Sequence, residues 1–407
     1  MEETIINFYQ GQTDLFELLK EEDKKEENRF ESIHTRISEL FNMKNIHFLF
    51  GSGTSMNAIP SMIGLFDAVE EQINKLPPEK ESIKLEFETI KSRVSDKNLE
   101  EILGILYSHK KYLEDYKAKQ KEFLDCDTLI ILIETVIFNK IHVNFSDDKP
   151  KEVLNNYKEF YRKVALRNKD LSRINVFTTN NDLFNETALD SLNIHYINGF
   201  NGGLNRYFNP ALFNYTFSKR MDTSIDKFEP VENIVNLYKI HGSINWIEDK
   251  NNENTFFKIK EISEPKKTNN NILVYPTPTK TNKSLGSPYV EMFREFQGKL
   301  LEPLSVLFVI GYSFSDEHVN NIIYQALATN STMNLVILND VEQRDISKIE
   351  DDRIFRVWGK NEKGEEIHFF DKIIAKLLPN VNAFKSDKSS MSEFIKFYNN
   401  NLSDENR

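Results

Sequence analysis

The sequence predicts an α/β fold: a Rossmann-like parallel sheet interrupted by a large helical insertion, with helical extensions at both ends. Three observations carry that expectation. The first is the stretch 46–55, Ile-His-Phe-Leu-Phe-Gly-Ser-Gly-Thr-Ser, where an apolar run broken only by His47 leads into Gly51-Ser52-Gly53 and then a patterned helix. A buried parallel strand hands a phosphate to a helix N-terminus in this way. Gly51 and Gly53 have no Cβ, so their backbone can approach a pyrophosphate closely. The dinucleotide fingerprint asks for a third glycine where this chain has Met56, so the loop by itself fits a ligand-free turn equally well. The second observation is that other strand signals also end in glycine or polar residues, at 178–182, 241–243, 311–316 and 339–340. The third is that residues 79–172 show helical spacing throughout, as in Ile102, Leu103, Ile105 and Leu106. No second parallel strand follows the first helix promptly, as a plain βαβ unit would require.

The chain has 407 residues, a formal net charge of −11 and one cysteine, Cys126. That length suits two or three domains, or one large domain with insertions. The acidic balance does not favour direct nucleic-acid binding. A single cysteine allows no internal disulfide, and no cysteine-based zinc site and no metal are expected from it. It fits a reducing cytosol. Met1-Glu2-Glu3-Thr4 lacks the basic and apolar regions of a signal peptide. The longest apolar run, near 129–138, contains Glu134 and is too short to span a bilayer. The expectation is a cytoplasmic protein without membrane contact.

In chain order, residues 1–42 read as a charged helical arm, either a solvated lead-in to the first strand or an oligomerisation arm. A strand at 46–50 is followed by a helix that Ile59-Pro60-Ser61 can start and Pro77-Pro78 stops. After the insertion, strands are expected at 174–179, 194–197, 237–240, 272–275, 304–310 and 335–338, with a short last one at 353–358. Residues 247–271 read as a loop or exposed hairpin. Helices carry Tyr289, Met292, Phe293, Phe296 and Leu300, then Val319, Ile322, Ile323 and Leu327. A domain spanning 43–385, with its insertion at 79–172, is followed by a polar tail at 386–407.

The strand ends form one rim of Gly, Ser, Thr, Asn, Asp and a single His, and ligands of open parallel sheets bind outside the carboxyl ends of the strands. A nucleotide-sized ligand is expected there. The order Gly51-Ser52-Gly53-Thr54-Ser55, Thr178-Thr179-Asn180-Asn181-Asp182, Lys239-Ile240-His241-Gly242-Ser243 and Gly311-Tyr312-Ser313-Phe314-Ser315-Asp316 resembles the sirtuin family. More closely, it looks like the sirtuin-like NADase domains of bacterial antiphage defence systems.

The resemblance implies a substrate, NAD+, and a site. Asn180 matches the asparagine near the nicotinamide ribose that places the water or nucleophile. His241 matches the catalytic histidine, a general base on a ribose hydroxyl. Gly51, Ser52, Gly53 and Ser55 match the phosphate loop, and Asp182 the aspartate of Thr-x-Asn-x-Asp. Gly311 and Ser313 fall at the Gly-x-Ser turn against the dinucleotide, and Asn339 near the adenosine ribose. The implied function is hydrolysis of NAD+ to ADP-ribose and nicotinamide in antiphage defence. The resemblance also implies a HerA-type DNA-translocating ATPase as partner, and surplus helical mass suggests a homo-oligomer.

Several departures and rivals stand beside this. The four-cysteine zinc module of sirtuin deacylases is absent, which puts an acyl-lysine groove in doubt. Asn181 replaces an apolar or aromatic residue, and Ile59-Pro60-Ser61-Met62 stands where deacylases often carry Asp-Phe-Arg. Protein deacylation, ADP-ribosylation and a non-catalytic NAD or ADP-ribose sensor are the alternatives. His47, His195 and His318 fit structural roles; Asp316 fits a helix cap.

Overall fold

The computed structural model describes residues 5–17, 25–94, 97–114, 116, 119–164, 171–221, 227–231, 234–249, 257–268, 271–273 and 288–379. The tail expected at 386–407 lies outside these residues, as do the second half of the 272–275 strand and the prolines after it. The N-terminal stretch departs from the helical expectation. It opens with a strand, β1 (Ile5–Gln10), and a short return, β2 (Thr13–Asp14). Ile6 and Phe8 alternate inward and are buried, which is strand period rather than helix period. Helix α1 (Glu26–Phe41) follows and buries Ile33, Ile37, Leu40 and Phe41.

Strand β3 (Asn45–Phe50) is buried along its whole length. Helix α2 (Met62–Asn74) starts at Ser61, whose side chain accepts the Gly64 N–H. The insertion is helical as its spacing predicts: α3 (Glu81–Lys91), α4 (Leu99–Leu113), α5 (Gln120–Ile141) and α6 (Asp148–Val164). Asn98 caps α4, accepting from the Glu100 and Glu101 N–H groups at 3.0 and 3.3 Å. Helices α2 to α5 share one apolar cluster, while α6 packs its face into the core of the sheet.

The chain then lays down β4 (Asn175–Thr178), α7 (Phe184–Ser191), β5 (His195–Ile197), β6 (Phe200–Asn201), β7 (Arg206–Phe208), β8 (Ser218–Arg220), β9 (Phe228–Pro230), β10 (Ile234–Lys239), β11 (Gly242–Glu248), β12 (Ile259–Glu261) and β13 (Asn271–Leu273). A helix Tyr289–Leu300, β14 (Ser305–Ile310), a helix Glu317–Thr329, β15 (Asn334–Leu338) and β16 (Ile354–Lys360) complete the core.

The large sheet has the order β2-β1-β16-β15-β14-β3-β4-β10-β5. From β16 to β5 all neighbours are parallel, and β1 and then β2 extend one side antiparallel. Side-chain alternation divides the core into two layers. Ile46, Phe48, Phe50, Phe308 and Val336 meet α1, α6 and α7; Leu49, Phe177, Leu307, Val309 and Ile337 meet the helices Tyr289–Leu300 and Glu317–Thr329. The chain leaves β3 toward β4 on one side and resumes on its other side at β14. That neighbouring pair is the topological switch point, where a crevice opens outside the carboxyl ends.

Of the loop or exposed hairpin expected at 247–271, the described residues form the hairpin. Strand β11 continues from the β10 turn through Glu248, and β12 pairs antiparallel with it. Together they belong to a five-stranded sheet of order β13-β11-β12-β7-β6. Ile244 and Trp246 turn inward there and are buried.

Candidate active site

The switch point is a backbone-on-backbone interlock. Gly51 N–H donates to Ile310 O at 3.0 Å, Gly53 N–H to Gly311 O at 2.9 Å, and Thr54 N–H to Gly51 O at 3.0 Å. A Cβ on Gly51 would stand 2.5 Å from Gly311 O, and one on Gly53 2.7 Å from Gly311 Cα. Gly311 has φ +65°, and a Cβ there would meet Thr54 N at 2.6 Å. The three glycines are therefore required by one another, before any ligand. At least three of the loop's N–H groups are already committed. What the crevice presents outward is hydroxyl: Ser52, Ser313 and Ser315 are exposed. Ser313 Oγ donates to Ser315 Oγ at 3.0 Å. Asn339 fixes the second turn by donating to Tyr312 O at 3.0 Å.

Behind the loop lies a buried polar network. Asn180, at the end of β4, directs its Nδ2 at Gly51 O, Thr54 Oγ1 and Ser55 Oγ, at 3.0, 3.1 and 3.2 Å. Ser55 Oγ donates to Asp182 Oδ2 at 2.7 Å. The Tyr157 hydroxyl, on α6, bonds Thr54 Oγ1 at 2.7 Å and Ser55 Oγ at 3.0 Å. Burial and the Asp182 charge push the phenol far up, so it stays protonated. Asp182 also accepts the Phe184 N–H at 3.1 Å. Burial raises its pKa, against the Lys239 charge and these hydrogen bonds. Lys239 donates to Asp182 O and lies 3.0 Å from Glu186, an ion pair buried on both sides.

The β10–β11 turn presents His241. Its Nε2 lies 2.9 Å from Asp316 Oδ2. Burial alone would raise the Asp316 pKa, but the His241 hydrogen bond and charge, with the Val319 and His318 N–H groups, outweigh it and hold the carboxyl below its usual range. With Nε2–H given to Asp316, the ring's lone pair sits on Nδ1. Asn181 ties the turn down by donating to His241 O at 2.7 Å and Gly242 O at 3.2 Å. Glu100, in the first turn of α4, adds a third titratable group. Burial pushes its carboxyl up to about 7, His241 pulling it down and Asp316 pushing it up.

The structure thus gathers Gly51, Ser52, Gly53, Ser55, Asn180 and Asp182 around one loop, joins Gly311, Ser313 and Asn339 to it across the interlock, and sets His241 on the adjoining turn. Sequence reasoning missed Tyr157, Glu100 and the anchoring roles of Thr54 and Asn181. It read Asp316 as a cap, and Asp316 is a cap and the partner of His241 as well. His47 is structural as expected: it is buried and hydrogen-bonded to Asn175 at 3.2 Å. No helix among the described residues is long and apolar enough to cross a membrane.

Comparison with known proteins gives three findings. No curated protein matches the chain. Two solved structures align over most of it. One comes from a study of the mechanism and regulation of Sir2 enzymes, at TM-score 0.40 and 11% identity, covering 89% of this chain and 99% of that one. The other is a mutant Sir2 homologue bound to ADP-ribose, at TM-score 0.40 and 10% identity, covering 86% and 97%. Alignments this loose add nothing to the topology above. Residues 174–358, from β4 to β16, match the family of SIR2-like domains.

Proposed function

We propose that the chain is an NAD+ glycohydrolase, cleaving NAD+ to ADP-ribose and nicotinamide. The observation that carries this reading is the His241–Asp316 pair beside the Asn180-anchored glycine loop, at the switch point of a parallel sheet. The match of residues 174–358 to SIR2-like domains supports it.

The roles we propose are those the resemblance implies, set on the positions described above. The pyrophosphate lies against the hydroxyls of Ser52 and Ser313, at the loops that Gly51, Gly53, Ser55 and Gly311 shape. The adenosine ribose lies toward Asn339. The nicotinamide ribose faces Asn180 and His241. The C1′–N bond breaks with its electron pair going to nicotinamide, which leaves neutral, so no strong acid is needed. The oxocarbenium-like ribose takes up a water at C1′, oriented by the Asn180 carboxamide oxygen. His241 Nδ1 accepts the proton, and the Asp316 carboxylate stabilises the resulting imidazolium. Asp182 holds Ser55 and, through it, the loop.

The biological setting we propose is antiphage defence by depletion of host NAD+, in a homo-oligomer controlled by a HerA-type ATPase. The test is to incubate purified full chain with NAD+, alone and with candidate partner and DNA, and to separate the products. Nicotinamide and ADP-ribose in equal amounts support hydrolysis. Turnover only with an acylated or acceptor protein would assign deacylation or ADP-ribosylation instead, and binding without turnover a sensor.

A further inference from the structure

Away from the rim, three helices of the insertion bring together three metal-ligating side chains. Glu86 comes from α3, His109 from α4 and Cys126 from α5. Their ligand atoms all lie within 4.8 Å of one another. His109 Nδ1 is 3.0 Å from Glu86 Oε1. Cys126 is buried and its Sγ donates to Leu106 O at 3.3 Å. The backbones beneath are held by Phe87, Ile90, Leu103, Leu106, Leu129 and Ile130, all buried in one cluster.

We propose that Glu86, His109 and Cys126 form a divalent-metal site, with Zn2+ its best-matched ion. Thiolate, imidazole and carboxylate are the three donors zinc takes in proteins, and one of each leaves a fourth tetrahedral position for water. His109 is 39% exposed along its side chain, so an ion and its water can enter from that side. Zinc bonds of about 2.0–2.3 Å place ligand atoms roughly 3.3–3.8 Å apart in a tetrahedron. The ligand atoms, all within 4.8 Å of one another, would have to close by about 1 Å to reach that spacing.

The charges agree. A thiolate and a carboxylate together balance a divalent cation, and the adjacent Lys110 and Asp127 neutralise each other as an ion pair. A metal ligated by Cys126 would take the place of the thiol proton. The expectation of no metal rested on one cysteine and histidines dispersed along the sequence, whereas the fold brings His109 to Cys126 and Glu86. This site is independent of the proposed NAD+ chemistry.

The experiment is titration of chelator-stripped full-length protein with Zn2+ alone, followed by calorimetry and thermal melting. Expected are one ion per chain, micromolar or tighter affinity, and a raised melting midpoint that EDTA reverses. Substituted Co2+ is expected to give a thiolate charge-transfer band that Cys126→Ser abolishes. His109→Ala, at a part-exposed position, is expected to weaken binding at least about tenfold. No saturable binding, or equal binding by His109→Ala and Glu86→Gln, would overturn the proposal and leave a hydrogen-bonded cluster. Those two variants and the wild-type cobalt spectrum decide the matter if Cys126→Ser fails to fold.

Discussion

Asp316 uses its two carboxylate oxygens for two different tasks. Oδ2 lies 2.9 Å from His241 Nε2, while Oδ1 accepts the His318 and Val319 N–H groups that begin the helix Glu317–Thr329. The helix thereby orients the carboxylate, and the carboxylate orients the imidazole. Asp316→Asn separates the tasks, because asparagine caps a helix as well as aspartate does. The expected result is a melting midpoint near wild type with NAD+ hydrolysis lowered by about one to two orders of magnitude. An unchanged turnover rate would remove the pair from the chemistry.

Glu100 brings a pH dependence. Its carboxyl titrates at about 7 in the fold against an ordinary 4.5, chiefly through burial. A raised folded-state value means that the stability it contributes is fully present below about pH 4.5 and is lost as pH rises through about 7. Glu100→Gln is expected to match wild type in thermal melts near pH 4.5 and to exceed it near pH 8, by on the order of 1–3 kcal/mol. Because the charge also faces His241 and Asp316, ionisation of Glu100 is expected to put a step near pH 7 into the hydrolysis profile that Glu100→Gln removes. Parallel melting curves across that range would contradict the assignment.

The parts of the site that lie on strands were legible in the sequence; those that lie on helices were not. Strand β14 is a near-continuous apolar run and β3 one broken only by His47, both ending in glycine, and a doubly covered parallel strand has to look like that. Their ends therefore located the rim. Tyr157 and Glu100 sit on helices whose spacing reports a buried face and nothing about what that face meets. Strand β1 escaped because Asn7, Tyr9 and Gln10 dilute its apolar alternation, and its partner β16 lies at the far end of the chain. Strands of two or three residues, such as β6, β7 and β12, are too short to show a period.

The glycine interlock separates stability from binding. Gly53→Ala places a Cβ 2.7 Å from Gly311 Cα, and Gly311→Ala combines a similar clash with φ +65°. Each is expected to cost about 2–4 kcal/mol of stability, from overpacking and left-handed strain. Ser52 is exposed at the loop tip, so Ser52→Trp should leave the melt unchanged and abolish NAD+ binding by calorimetry. Normal binding by a folded Ser52→Trp protein would place the phosphates elsewhere.

Asn180 is expected to show both effects at once. Its amide nitrogen meets three acceptors around the loop, so Asn180→Ala leaves buried oxygens short of a donor, at about 1–3 kcal/mol. Hydrolysis should fall to background in protein that still melts cooperatively. Near-normal turnover in such protein would confine Asn180 to a structural role.

Self-association is the last expectation, and the structure changes how it is tested. Deleting residues 1–42 would remove β1 from the sheet edge and the buried side chains of Ile33, Ile37, Leu40 and Phe41. Such a truncation reports on folding before assembly. The insertion offers a better handle. Leu124 and Ile131 are 52% and 39% exposed on α5, seven residues apart and so on one helical face. Leu85 on α3 is 69% exposed. Apolar side chains repeated along one exposed helix face suit a symmetric contact between copies. The full chain is expected to scatter light as a whole-number multiple of its mass. Leu124→Glu with Ile131→Glu should return it to a monomer with an unchanged melting midpoint. A wild-type monomer at micromolar concentration would refute assembly, and an oligomer that survives the double change would move the contact to another surface.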